Sequence, residues 1–152
     1  MESLAADAGF RFRRDVEVRF RDIDAMGNAH HTLPLIYFEE ARAAYWREVA
    51  GRATVDEIDY IVAEFHVRYH ERVLYPATLS VGVRVARLGT KSFTMEYELR
   101  GEDGRLLASA RSVQVMFDYM EGRSIEVTGE VRGRVLGYEG KGEGKGEGKG
   151  EE

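Results

Sequence analysis

An α+β domain, with one long early helix laid against a single curved antiparallel sheet, is what this sequence predicts. Apolar residues alternate at period two in several short runs, whereas one run from Leu35 to Ala50 has helical period instead. The strand-like runs follow one another after the helix, which makes an antiparallel meander their simplest connection. The length of 152 residues suffices for one core and not for two domains.

The first strand is predicted over Asp15–Phe20, where Val16, Val18 and Phe20 alternate with charged residues. Asp24-Ala25-Met26-Gly27-Asn28 then has the composition of a strand exit, and Thr32 followed by Pro34 predicts a helix cap and first turn near Leu33. Leu35, Phe38, Ala41, Tyr45 and Val49 form the buried stripe of that helix, widened by Ile36, Tyr37, Ala44 and Trp46. Four strands are expected next, around Phe65–Tyr69, Leu79–Val85, Phe93–Leu99 and Leu106–Phe117, with Glu102-Asp103-Gly104 turning the last hairpin. The order is β-α-β-β-β-β.

Ser124 to Tyr138 reads as a glycine-weakened helix or an added strand. From Glu139 onward, glycine, lysine and glutamate repeat without an apolar residue, so this tail is expected to be disordered. The organisation predicted is a flexible N-terminus over 1–12, a folded domain over 13–138 and a low-complexity tail over 139–152.

Without a cysteine in the chain, disulfides, thiolate zinc sites and iron–sulfur clusters are excluded. A formal net charge of -5 argues against a nucleic-acid surface. Met1–Gly9 lacks the basic and apolar parts of a signal peptide, and no segment has the roughly 20 apolar residues of a membrane span. The expectation is a soluble cytoplasmic protein with neither a nucleic-acid nor a membrane partner.

The segment Val18-Arg19-Phe20-Arg21-Asp22-Ile23-Asp24-Ala25-Met26-Gly27, followed ten residues later by Tyr37-Phe38-Glu39-Glu40-Ala41-Arg42, resembles the 4-hydroxybenzoyl-CoA thioesterase-like hotdog family. The likeness extends from about Val16 to Phe117 and includes the Leu88–Phe93 turn. It implies a helix wrapped by an antiparallel sheet, sheets joined edge to edge in a homodimer or tetramer, and active sites at the interface. It further implies hydrolysis of an acyl-CoA, or of an acyl carrier protein thioester, with no cofactor beyond the CoA of the substrate. By position, Asp24 matches the family's reactive carboxylate, and His31 falls where a histidine is frequent. Asn28 stands in place of a common histidine and Pro34 in place of a common aromatic, both beside the expected acyl pocket.

A carboxylate before a helix start can attack a thioester carbonyl or deprotonate a water, and the N–H groups from Gly27 to the first helical turn can donate to the developing oxyanion. Asp24, His31 and Gly27 are therefore the catalytic candidates, with Asp22 assigned a structural role. Asn28, His30 and Pro34, together with Arg87, Gly89, Lys91 and Ser92 of the hairpin that meets CoA in the family, are the substrate-binding candidates. His66 and His70 read as structural, Glu64 as a polar-face residue, and Glu39 and Arg42 as a possible i,i+3 ion pair. No metal site is expected, because the histidines lack a spaced third and fourth ligand. The competing functions are an acyl-CoA-binding module without turnover and an enoyl-thioester hydratase or dehydratase.

Overall fold

The computed structural model describes residues 9–140; residues 1–8 and 141–152, which hold most of the expected flexible N-terminus and tail, lie outside the described residues. In chain order the elements are β1 (Phe12–Glu17), α1 (Leu33–Glu48), β2 (Tyr60–Tyr69), β3 (Thr78–Leu88), β4 (Ser92–Arg100), β5 (Leu106–Asp118), a short β6 (Arg123–Ser124) and α2 (Gly129–Glu139). The β-α-β-β-β-β order holds, and the stretch left open between helix and strand is a helix from Gly129. Phe12 opens the first element and Glu139 closes the last.

The five long strands form one antiparallel sheet in the order β1-β3-β4-β5-β2. Short hairpins join β3, β4 and β5, while the long connection through α1 carries the chain from one edge of the sheet to the other. Val83 pairs with Tyr97 and Tyr97 with Ala110. This register turns Val81, Val83, Val85, Phe93, Met95, Tyr97 and Leu99 to the face covered by α1, all at most 1% exposed.

Trp46 is the largest side chain in that core and lies fully buried on α1. Its ring stacks on Phe93 at 4.6 Å and 4°, and its Nε1 donates to Asp59 Oδ1 at 2.8 Å. Asp59 also accepts from Arg52 Nε at 3.1 Å, so the indole N–H, the one polar atom of the ring, finds a partner already held in place.

β1 lies three residues earlier than the predicted Asp15–Phe20. After Val18, whose N–H still reaches Ala77 O at 2.9 Å, the chain turns into a 3-10 helix over Phe20–Asp22. The cause is Asp22, whose Oδ2 accepts the N–H of Arg19 at 3.0 Å and bends the backbone before it can extend further. Phe20 is thereby 77% exposed, with its ring against that of Tyr75.

At the other end of β1, the last pair is Phe12 with Val83, and the edge of β3 runs on uncovered. α2 closes that gap. Thr128 caps it by accepting from Val131 N at 3.2 Å, Val131 and Val135 are buried, and Glu139 Oε2 accepts both Val85 N–H at 3.0 Å and Tyr45 O–H at 2.5 Å. Gly129, Gly133 and Gly137 face open space, so they cost helix propensity without leaving a hole in the packing. Gly82 is demanded more strictly, since a Cβ there would meet Phe10 Cβ at 2.8 Å and Arg13 Nη1 at 2.7 Å.

Because Trp46 is buried and stacked, Trp46→Ala should cost about 3–5 kcal/mol of unfolding free energy. Urea unfolding followed by far-ultraviolet circular dichroism measures this, and a loss below about 1 kcal/mol would contradict the packing described.

Candidate active site

The segment between β1 and α1 is a tight turn closed by its own backbone. Ile23 bridges Ala29, Asp24 N–H donates to Asn28 O at 2.9 Å, and Gly27 N–H donates to Asp24 O at 3.0 Å. Gly27 has φ +83°, a left-handed conformation that other residues adopt only with strain. The Asp24 side chain is half-buried, and its Oδ1 accepts from Met26 N at 2.9 Å and Asn28 N at 3.4 Å. Its Oδ2 has no hydrogen bond among the described residues. One oxygen thus orients the carboxylate while the other stays available.

Asp22, two residues earlier, is 3% exposed. Its Oδ2 accepts from Tyr37 Oη at 2.8 Å as well as from Arg19 N, and its own carbonyl accepts His30 N–H at 3.0 Å. Burial alone would raise this carboxyl, but the Arg19 N–H, the Tyr37 hydroxyl and the Arg19 guanidinium together hold it below the usual carboxylate range. Burial first, then the hydrogen bond to Asp22 and its charge, raises the Tyr37 phenol well above its ordinary value. Asp22 is therefore a fully used structural carboxylate, as the sequence reading assigned it.

His30 and His31 lie side by side at the mouth of α1, their rings 4.3 Å apart and both exposed. Nδ1 of His30 accepts Thr32 N–H at 3.3 Å and lies 2.9 Å from Thr32 Oγ1. Thr32 consequently makes no side-chain cap to α1, contrary to the expectation, because its hydroxyl is engaged by His30. His31 holds the Tyr69 hydroxyl of β2 on its carbonyl and leaves its imidazole toward solvent. Pro34 is buried in the first turn, and Leu35 N–H, beyond it, has no acceptor among the described residues. Asn28 Oδ1 is buried without a partner. The N–H of Gly27 is already spent within the turn on Asp24 O.

The second group of candidates lies elsewhere. Gly89 donates to Ser92 O at 2.7 Å and accepts from Arg132 Nη2 at 2.7 Å, and Lys91 O accepts Met116 N–H at 2.8 Å, which pins the hairpin carrying exposed Arg87 and Lys91. Phe93, just past it, stacks on Trp46 near the C-terminal end of α1. Asp24 and this hairpin are therefore separated within one protomer by nearly the length of α1, roughly 20 Å for the thirteen helical steps from Leu33 to Trp46.

Glu39 and Arg42 do not pair. Glu39 is exposed while Arg42 is 6% exposed and turned inward, where its Nη1 donates to Tyr97 Oη at 3.1 Å. The signal is present in the sequence, since Arg42 lies on the same stripe as Phe38 and Tyr45, although charged residues ordinarily face water. Glu64 and His66 face the outer side of the sheet at 3.5 Å from each other, and His70 Nε2 meets Ser109 Oγ at 2.9 Å. An open concavity of about 500 Å³ also lies on that outer face, lined by Phe10, His66, Arg68, Ser109 and Arg111, away from Asp24. Among the described residues no three His, Asp, Glu or Cys side chains converge as a metal would need, and no helix is long and apolar enough to cross a membrane.

A family model described as the thioesterase-like superfamily matches residues 18–135. An uncharacterised Bacillus subtilis (strain 168) protein, YsmA, is 26% identical over 121 residues, covering 80% of this chain and 82% of its own. A thioesterase from Thermus thermophilus, crystallised with coenzyme A and zinc, is 31% identical with a TM-score of 0.80, over 89% of this chain and 99% of that one. A putative thioesterase from Pseudomonas aeruginosa is 28% identical with a TM-score of 0.73, over 83% and 98% of the two chains. The sheet curled about a long helix is the hotdog fold of these structures.

Because the folded-state pKa of Asp22 is depressed, its stabilisation is complete above the unfolded value of about 4 and is lost as pH falls through the lower folded value. Asp22→Asn should lose about 1–3 kcal/mol at neutral pH, and the difference from wild type should shrink toward zero as pH drops below about 4. Thermal melts of both proteins across that range test this, and a pH-independent difference would refute it.

Proposed function

The chain belongs to the thioesterase-like superfamily, and on that premise we propose that it hydrolyses an acyl-CoA thioester to the free acid and CoA, with Asp24 as the reacting carboxylate. The observation that carries this reading is the divided use of the Asp24 side chain, one oxygen tied to Met26 and Asn28 and the other unbonded at the mouth of α1. The unbonded oxygen either attacks the acyl carbon or removes a proton from the water that does. The C–S bond then breaks and CoA leaves as thiolate. If an acyl-enzyme anhydride forms, water hydrolyses it and restores the carboxylate.

The unpaired N–H of Leu35 and the positive end of the α1 dipole supply donors for the oxyanion, within the stretch from Gly27 to the first helical turn expected to do so. His31, with its imidazole free beside this turn, orients the water or the thioester carbonyl. The coenzyme A held by the Thermus thermophilus relative supports CoA as the carrier. Membership of the 4-hydroxybenzoyl-CoA thioesterase-like branch and a cytoplasmic setting without added cofactor belong to the same proposal, as does a catalytic domain over 13–138.

A second copy of the chain completes the site. β2 is an edge strand of 10 residues whose outer side no strand pairs among the described residues, with Ile61, Val62 and Tyr69 each more than a third exposed. Such an edge invites pairing. Antiparallel pairing of β2 with its two-fold mate sets the Tyr69 end of one protomer against the Tyr60 end of the other. The partner's hairpin, with Arg87, Gly89, Lys91 and Ser92, is thereby brought toward Asp24, which reconciles the two separated groups of candidates. A tetramer would be a pair of such dimers.

Steady thiol release from an acyl-CoA panel tests the reaction. Asp24→Ala and Asp24→Asn should each lower kcat by about 10²–10⁴-fold, with the melting temperature unchanged in Asp24→Asn, whose side-chain oxygen still accepts from Met26 and Asn28, and binding without release in wild type would favour a non-catalytic module. Size-exclusion light scattering should give a dimer or larger at micromolar protein, and Ile61→Glu with Val62→Glu should yield a folded monomer with little activity. Persistent dimers in that variant would sink the β2 pairing.

A further inference from the structure

Arg42 is a charge without a counter-ion. It is 6% exposed, and it makes no ion pair among the described residues. Its Nη1 donates to Tyr97 Oη at 3.1 Å, Tyr97 meets Ser112 Oγ at 2.6 Å, Ser112 donates to Gln114 Oε1, and Gln114 Nε2 donates to Phe93 O at 3.3 Å. Every acceptor along this relay is neutral. The rings of Tyr60 and Phe65 stand 6.0 Å and 5.9 Å from the guanidinium carbon. Aromatic faces and polarised hydroxyls offset part of the cost of burying a guanidinium and leave its full charge unmatched.

The unmatched part has a direction. Nη1 is used and the Tyr60 hydroxyl also interacts with the guanidinium, whereas Nε is buried with no acceptor. Nε and Nη2 form the edge of a guanidinium that receives a carboxylate through two parallel N–H···O bonds. Glu39, one turn earlier on the same flank, is exposed and unbonded to it. Both neighbouring rings come from Tyr60 and Phe65 of β2, so Arg42 faces the flank of α1 that runs beneath the free edge of the sheet.

Helical side chains lean toward the N-terminus, which carries the Arg42 head back toward the Asp24 end of α1. Arg42 lies nine positions after Leu33, and after one turn is subtracted for that lean, the guanidinium lies roughly 8–10 Å along the axis from the helix start. This is the reach of a short acyl chain whose thioester carbon sits at Asp24. On the reading of the preceding subsection, which this inference rests on, we propose that Arg42 forms the far wall of the acyl pocket and selects short acyl groups that end in a carboxylate.

The test compares adipoyl-CoA with hexanoyl-CoA, matched in chain length and differing in the terminal carboxylate. Wild type should favour adipoyl-CoA in kcat/KM by about tenfold to hundredfold, Arg42→Met should abolish or reverse that ratio, and Arg42→Lys should retain part of it. An equal ratio in wild type and Arg42→Met, or no preference in wild type, overturns the proposal. The same pair as non-hydrolysable thioethers, titrated by calorimetry into Asp24→Asn with and without Arg42→Met, separates this inference from the reaction itself. If wild type hydrolyses neither ester but the dicarboxylic thioether binds more tightly only when Arg42 is present, the pocket assignment stands and the hydrolase reading falls. A shift of Arg42→Met or Arg42→Lys to monomer, without a change in acyl preference, would assign the counter-ion to a carboxylate of the second copy and overturn the proposal.

Discussion

A carboxylate with almost no access to water, Asp22, ties the end of β1 to the beginning of α1, and the candidate active site is built on that tie. Its side chain takes the Arg19 N–H on one side and the Tyr37 hydroxyl on the other, while its carbonyl takes His30 N–H. These bonds fix where the strand stops, how the chain reverses and at what angle the helix leaves. Asp24 can then devote one oxygen to its own turn and keep the other unbonded, because the frame around it is set by its neighbour. Two acids two residues apart thus do different work, one buried and saturated and the other half-exposed and only half-used.

The two flanks of α1 are unequal, and that inequality follows from the strand order. On the β1 side Tyr37 meets Asp22 and Glu48 meets Arg14. On the β2 side the helix lies under an edge strand whose outer backbone groups have no partner among the described residues, and there Arg42 carries an unanswered charge among aromatic rings. A small domain that leaves both a strand edge and a buried cation incomplete on the same side is suited to be a component of a larger assembly. The proposed dimer and the proposed acyl pocket both draw on this one side of the molecule.

Much of the fold was legible. Period-two alternation located the strands because one face of each packs on α1, and the Pro34 signal located the helix start within a residue. Legibility failed where a single side chain outweighed the local pattern. Val18 and Phe20 continue the alternation of β1, yet the Asp22 carboxylate ends the strand first. Thr32 has the composition of a cap, yet His30 takes its hydroxyl. Arg42 stands at i,i+3 spacing from Glu39, as an ion pair would require, yet its position among Phe38, Ala41 and Tyr45 turns it inward. Of the site, the turn around Asp24 could be read directly, since its residues are contiguous, and the commitment of the Gly27 N–H to that turn could not.

By itself the sequence determined the class of fold, the order of its elements and the acidic turn before the long helix, because these depend on residues close together in the chain. Tertiary structure alone decided which carboxylate is spent on holding the chain, which strand is left at the edge, and that the hairpin of Lys91 stands at the opposite end of α1 from Asp24. Those outcomes rest on contacts between residues far apart in the chain, where burial and competition for hydrogen-bond partners rather than local propensity choose the winner.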